Sequence, residues 1–316
     1  MKKSLAAIVV AAAFSPASAW GPLGHRIVAE TAALLVEDDL PATWGPLLAR
    51  HRFELGVYAF LPDASFRHHD GAGGKVEAPT HYLNLDAPAD GTTPVGTVDR
   101  RVTQFLELAR AQLKDVRAPK GDYLSGAAAD GDARRVYIGL YNLGVMAHYS
   151  GDAAMPFHAT SDFNGYARGE GGIHFYFESD CVNALEPGLA ADVLASARKN
   201  RMGWLRAWSA DPGRPKELVK SVLQDSLSSV SRVFELDRRH AITKLQDPGS
   251  RQDALRKPAA KGCPAMRTLL VERLARGAVL TEALWEAVLP RDVDFSGAAT
   301  LQFSDMELDA VYVAPN

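Results

Sequence analysis

The residues most able to do chemistry fall in one stretch, His148-Tyr149-Ser150-Gly151-Asp152-Ala153-Ala154-Met155-Pro156-Phe157-His158. His148 and Asp152 are four apart, so on a helix they share a face and can bind one metal or bridge two. His158 lies off that face in an unbroken helix. Pro156 supplies the remedy, because proline disfavours helix at the preceding residue and redirects the chain. Composition alone would produce His-x3-Asp-x5-His roughly 0.02 times in a chain of this size, which argues against a helix that merely carries surface histidines. Further on, His174-Phe175-Tyr176-Phe177-Glu178 repeats the four-residue step. About one His-x3-acid step is expected by chance, so its weight comes from its closeness to His158. Two neutral imidazoles and a carboxylate suit zinc and leave a position open for water.

Asp63 follows Leu61-Pro62, and His81 stands two residues after Pro79. A lone Asp after proline is commonly a cap or turn, and a lone His commonly structural, so both gain interest only from the cluster. His68, His69 and Asp70 form a rival metal-like triplet. They sit in a Gly-rich stretch and read as solvent-exposed, or at most substrate-facing.

At the start of the chain, Lys2 and Lys3, the apolar run Leu5 to Phe14, and Ala17-Ser18-Ala19 have the three parts of a secretory leader. The apolar run is well short of the roughly 20 residues that span a bilayer, so a membrane anchor is disfavoured. Cleavage after Ala19 would make Trp20 the first residue. Its free α-amine and carbonyl oxygen could then chelate a metal together with His25. The expected organisation is a leader over 1–19 and one domain over 20–316, secreted or periplasmic after processing.

The elements that must position these side chains read as helices. Helical spacing of apolar residues predicts helices over His25 to Val36, Val98 to Val116, Ala133 to Tyr149, Leu189 to Trp208, Glu217 to Phe234 and Met266 to Leu289. Few segments alternate as strands do. Two stretches read as loops, Arg67 to Pro79 and the Gly-rich Asp162 to Gly172, as expected around a site built on a helical scaffold. The expected fold class is all-α, a single mainly helical domain with a metal cluster in a cleft.

A processed chain of about 297 residues is enough for a sizeable core, and 47% apolar content fits a globular protein. Net charge is −3, and loss of Lys2 and Lys3 makes it −5. That is not the basic signature of a protein dominated by phosphate contacts to nucleic acid. Cys181 and Cys263 are the two cysteines. In an oxidising compartment they are expected to form a disulfide. The rival reading makes Cys181 a metal ligand, three residues past Glu178.

Taken together, these motifs resemble the superfamily of zinc-dependent phospholipase C and the S1/P1 nucleases. The resemblance covers Trp20 to about Glu178 in ordered motifs, with weaker helical similarity after it. It implies a mainly helical, exported enzyme holding three Zn2+ ions. One zinc would take Asp63, His81, His148 and Asp152. A second would take His158, His174 and Glu178. The third would take the Trp20 amine and carbonyl, His25 and Asp152, with Asp152 bridging.

The two branches separate on smaller features. Trp20-Gly21-Pro22-Leu23-Gly24-His25 is similar to the nuclease start. His81-Tyr82-Leu83-Asn84 resembles the nuclease segment in which an aromatic stacks on a base and a polar residue reads its edge, a stack contributing roughly 1–3 kcal/mol. The pair His174 and Glu178 and the short step to Gly172-Ile173-His174 look more like phospholipase C. There Phe175, Tyr176 and Phe177 could wall a lipid pocket, although at least two of them suit core packing better.

The resemblance thus implies hydrolysis of phospholipid head-group phosphodiesters, with single-stranded RNA and DNA as the alternative substrates. No stable membrane anchor and no protein partner is implied. Zinc would lower the pKa of a water from 15.7 to about 7. Asp63 is the candidate to orient that water or accept its proton, and Arg67 a candidate phosphate clamp. A non-catalytic zinc-stabilised protein is the reading from another class. Its sites would be closed, whereas the second set here offers three ligands and an open position.

Overall fold

Leading the computed structural model is a helix that begins where Pro22 can occupy its first turn without losing a hydrogen bond. The structure describes residues 20–69, 75–116, 131–211, 213–293 and 312–316. The proposed leader and Asp70 lie outside the described residues. The principal helices are α1 (Gly21–Asp39), α2 (Gly45–Arg50), α3 (Arg52–Tyr58), α4 (Val98–Leu113), α5 (Gly131–Ala154), α6 (Leu189–Ala207), α7 (Pro215–Leu236) and α8 (Arg267–Glu286). The one sheet among the described residues is a short antiparallel pair, β1 (Ile242–Lys244) and β2 (Leu255–Arg256). The fold is all-α.

Helix α5 is the axis of the molecule. From Gly139 to Ala154 every residue is buried, the condition of a helix enclosed on all sides. Helices α1, α3, α4, α7 and α8 pack around it. Close approach is possible because small residues face the neighbours. A Cβ on Gly144 would stand 2.6 Å from Tyr58 Cβ on α3. The six predicted helices are all present, with α1 and α5 longer than their apolar periodicity indicated. The short helices α2 and α3 carry too few turns to show a period and were not predicted.

The end of α5 decides where the chemistry sits. Its last carbonyls would be unsatisfied in a buried site. Ser226 Oγ on α7 donates to the Ala153 carbonyl at 2.7 Å, and Arg273 Nε on α8 donates to Ala154 at 2.9 Å. Arg273 is fully buried and keeps its charge paired with Asp225 Oδ2 at 2.7 Å. Burial of an unpaired guanidinium would be strongly unfavourable. Met155 then turns extended and Pro156–His158 forms a 3₁₀ turn, the redirection that Pro156 implies.

Cys181 and Cys263 are joined in a disulfide across 82 residues, with Cα atoms 5.2 Å apart. The thiolate-ligand reading of Cys181 is therefore corrected: its sulfur is spent in the bridge. No described helix is long and apolar enough to cross a membrane.

Candidate metal centre

Each candidate ligand reaches the centre from a different element. His25 comes from α1, and His148 and Asp152 from α5. Asp63 sits in a π-helical turn, Pro62–Phe66, and Glu178 in another, Tyr176–Asp180. Such wide turns recur at functional sites because they re-aim side chains within a helical path. His81 and His158 end the 3₁₀ turns Ala78–His81 and Pro156–His158, each with a proline in its first two residues. His174 follows Gly172, whose φ of +82° suits a residue without a Cβ.

Asp152 lies at the middle and divides its oxygens between two sets of nitrogens. Its Oδ2 is 3.1 Å from His81 Nδ1 and 3.3 Å from His148 Nε2. Its Oδ1 is 3.6 Å from His25 Nε2 and 3.7 Å from His158 Nδ1. Asp63 Oδ1 completes the first set at 3.9 Å from both His81 Nδ1 and His148 Nε2. A second cluster joins His174 Nε2 to Glu178 Oε2 at 3.0 Å and to His158 Nε2 at 3.1 Å.

These spacings can be tested against a metal. Zinc–nitrogen and zinc–oxygen bonds of about 2.0–2.1 Å place tetrahedral ligands roughly 3.3 Å apart. The separations of 2.9 Å for His148 Nε2 to His81 Nδ1, and of 3.0 and 3.1 Å in the second cluster, lie close to that edge. Two imidazoles are oriented from behind. His148 Nδ1–H donates to the Ala59 carbonyl at 2.8 Å, and His158 Nδ1–H donates to the His81 carbonyl. Each therefore turns the lone pair of Nε2 inward, as metal-ligating histidines do. Both Asp63 oxygens, both Glu178 oxygens and Asp152 Oδ1 are buried without a hydrogen bond of good geometry. Buried carboxylates left so are costly unless a cation faces them. The donor set fits two or more divalent ions.

Electrostatics agree. Burial pushes the Asp63 and Asp152 carboxyls up to about 7 and Glu178 well above the carboxylate range. The same burial drives His148 and His158 down to about 4, His174 to about 3, and His81 well below its ordinary value. Burial thus disfavours the charged form of the acids and of the imidazoles alike. Arg67 opposes this for Asp63, its Nη2 standing 3.0 Å from Asp63 Oδ1.

Trp20 is wholly buried beside the cluster. Its indole Nε1–H donates to the Gly151 carbonyl at 2.7 Å, and its carbonyl accepts from Gly24 N–H at 3.0 Å. Its backbone N–H favours the charged form of Glu178. The position named as a terminal ligand thus lies against the ligand set.

A pocket of about 270 Å³ opens above the centre, lined among others by Arg67, His81, Tyr82, Asn84, Phe157 and Phe163. Arg67 is only 13% exposed in its side chain and faces this space. Asn84 is engaged, its Nδ2 donating to the Pro94 carbonyl at 2.8 Å. Phe175 does not line the pocket and is half exposed, while Tyr176 and Phe177 are core. The aromatic wall comes instead from Tyr82, Phe157 and Phe163. Phe163 was not among the candidate pocket residues, although it ends the phospholipase-like stretch His158-Ala159-Thr160-Ser161-Asp162-Phe163. Of the rival triplet, His68 is exposed.

No family model matches the chain, and no curated protein matches it. Among solved structures it is similar to Clostridium perfringens alpha-toxin from avian strain SWCP, at 14% identity over 86% of this chain with a TM-score of 0.44. The chain spans 64% of the length of that chain.

Proposed function

We propose that the protein is a zinc-dependent phosphodiester hydrolase of the phospholipase C type, exported after removal of residues 1–19, with residues 20–316 as its catalytic domain. The observation that carries this reading is the set of buried carboxylate oxygens without a well-formed hydrogen bond, both of Asp63, both of Glu178 and Oδ1 of Asp152, facing imidazoles of which His81, His158 and His174 line an open pocket. The ligand assignment is the one the resemblance implies; His81, His148 and Asp152 lie together, as do His158, His174 and Glu178, while His25 lies with Asp63 and His148. Asp63, His81, His148 and Asp152 would hold one ion, His158, His174 and Glu178 a second, and Trp20, His25 and Asp152 a third. Bound zinc supplies a water acidic near neutral pH and a positive charge for phosphate oxygens.

The chain's own residues do the rest. Asp63, buried and paired with Arg67 Nη2 at 3.0 Å, is placed to orient the attacking water and accept its proton. Arg67 places a guanidinium where a non-bridging phosphate oxygen would enter, stabilising charge that grows in the transition state. Tyr82, Phe157 and Phe163 keep water from the leaving group and pack its apolar part.

Trp20 supports processing at Ala19. Its φ of 22° is one that side-chain-bearing residues rarely adopt. A residue with a free amine has no φ, so cleavage would remove that constraint. Lipid is favoured over single-stranded nucleic acid because Nδ2 of Asn84, the candidate base reader, already donates to the Pro94 carbonyl. The deciding experiment takes the zinc-loaded protein beginning at Trp20 and compares phosphatidylcholine micelles with single-stranded RNA and DNA in one buffer. Faster release of the phosphorylated head group supports the proposal. Preference for nucleic acid moves the assignment to the nuclease branch, and no turnover of any of these overturns it.

A further inference from the structure

The last residues of the chain lie against the elements that carry Asp63 and His81. The Tyr312 ring meets Phe66 edge-on, centroids 5.2 Å apart, and Phe66 closes the turn that begins Pro62-Asp63. One residue on, the Val313 carbonyl accepts from Arg101 Nη2 at 2.7 Å, and the Ala314 carbonyl accepts from Gln104 Nε2 at 2.7 Å. Arg101 is almost wholly buried, and the same Nη2 also donates to Glu77 Oε1 at 2.7 Å. Glu77 in turn accepts from Thr80 Oγ1 through both its carbonyl, at 2.8 Å, and its Oε2, at 3.0 Å. Thr80 is the residue before His81. A chain of bonds therefore runs from Val313 through Arg101, Glu77 and Thr80 to one ligand, while Tyr312 and Phe66 lead to the other.

We propose that residues 312–316 are a strap that positions Asp63 and His81, so that zinc affinity at this one position depends on the C-terminal tail. The proposal rests on the metal reading above. Arg101 is the central positioning residue, since a buried guanidinium that loses an acceptor leaves the Glu77 pair free to shift. The second cluster, His158, His174 and Glu178, touches this path only where His158 Nδ1–H donates to the His81 carbonyl, so its ion should weaken less and serves as the comparison.

The test compares the full-length mature protein with a form lacking 312–316, reading zinc content and affinity by chelator competition. Tyr312→Ala and Gln104→Ala, which keep the chain length, guard against a truncation that fails to fold. Changes behind metal ligands commonly weaken binding about 10–100-fold. That loss is expected to be largest for the ion at Asp63 and His81, with the helicity unchanged. In an Asp63→Asn background the truncation should add nothing, because the strapped position is already lost. Equal weakening of every ion, or none, overturns the strap. A full-length protein that binds no zinc overturns the metal reading and the strap with it.

Discussion

His148 and Asp152, one turn apart on α5, bring Nε2 and Oδ2 to 3.3 Å while the other Asp152 oxygen faces His25. A single carboxylate thus serves two groups of imidazoles, which is the geometry of a bridge. Replacement by Asn keeps the shape and removes the shared charge. On the proposed three-ion assignment, Asp152→Asn is expected to lose two zinc ions and Glu178→Gln one. Metal analysis of the dialysed proteins decides this, and an Asp152→Asn protein retaining all three ions would end the bridging assignment.

The pH dependence of zinc binding has a definite sign. Asp63 and Asp152 are raised to about 7 in the metal-free protein, so both are largely protonated at pH 6 and must release a proton to ligate. His148, His158 and His174, lowered to between about 3 and about 4, are already neutral there and add no competition. Affinity should fall as pH drops below about 7, by up to roughly tenfold per pH unit for each carboxylate. Titration with a zinc indicator from pH 5 to 8 measures it. A flat profile down to pH 5 would contradict raised carboxyls.

Most of the scaffold was legible because its signal is local. Val102, Phe105, Leu106, Ala109 and Leu113 mark the inward face of α4 by spacing alone, and all five are buried. His148 and Asp152 were legible for the same reason. Phe163 and the Arg101–Glu77 pair were not, since their partners are set by folding rather than by spacing. Arg101 meets Val313 across 212 residues, and no short pattern encodes such a contact. Phe175 misled because a run of three aromatics looks like a wall, yet burial of Tyr176 and Phe177 turns Phe175 outward.

The disulfide should carry a large share of stability. Cys181–Cys263 closes 82 residues, for which loss of unfolded-chain entropy is worth about 4–5 kcal/mol. It also ties the segment after Glu178 to the turn before α8. A Cys181→Ser/Cys263→Ser protein is expected to lose about 2–5 kcal/mol in denaturant unfolding, measured on the zinc-loaded form. An unchanged midpoint would show that packing around Cys181 suffices alone.

Arg67 couples the pocket to the metal, and its removal should therefore be read in two ways. Arg67→Met keeps most of the side-chain volume but deletes the charge 3.0 Å from Asp63. Loss of a guanidinium facing a phosphate oxygen should lower kcat/KM by about 10²–10³-fold, the usual cost of one donor to developing charge. Arg67 also lowers the Asp63 pKa, so without it Asp63 holds its proton to higher pH and zinc binding there shifts the same way. Measuring both on one preparation separates the roles. A loss of rate without the shift would make Arg67 a phosphate clamp alone, and a shift without loss of rate would make it only the partner of Asp63.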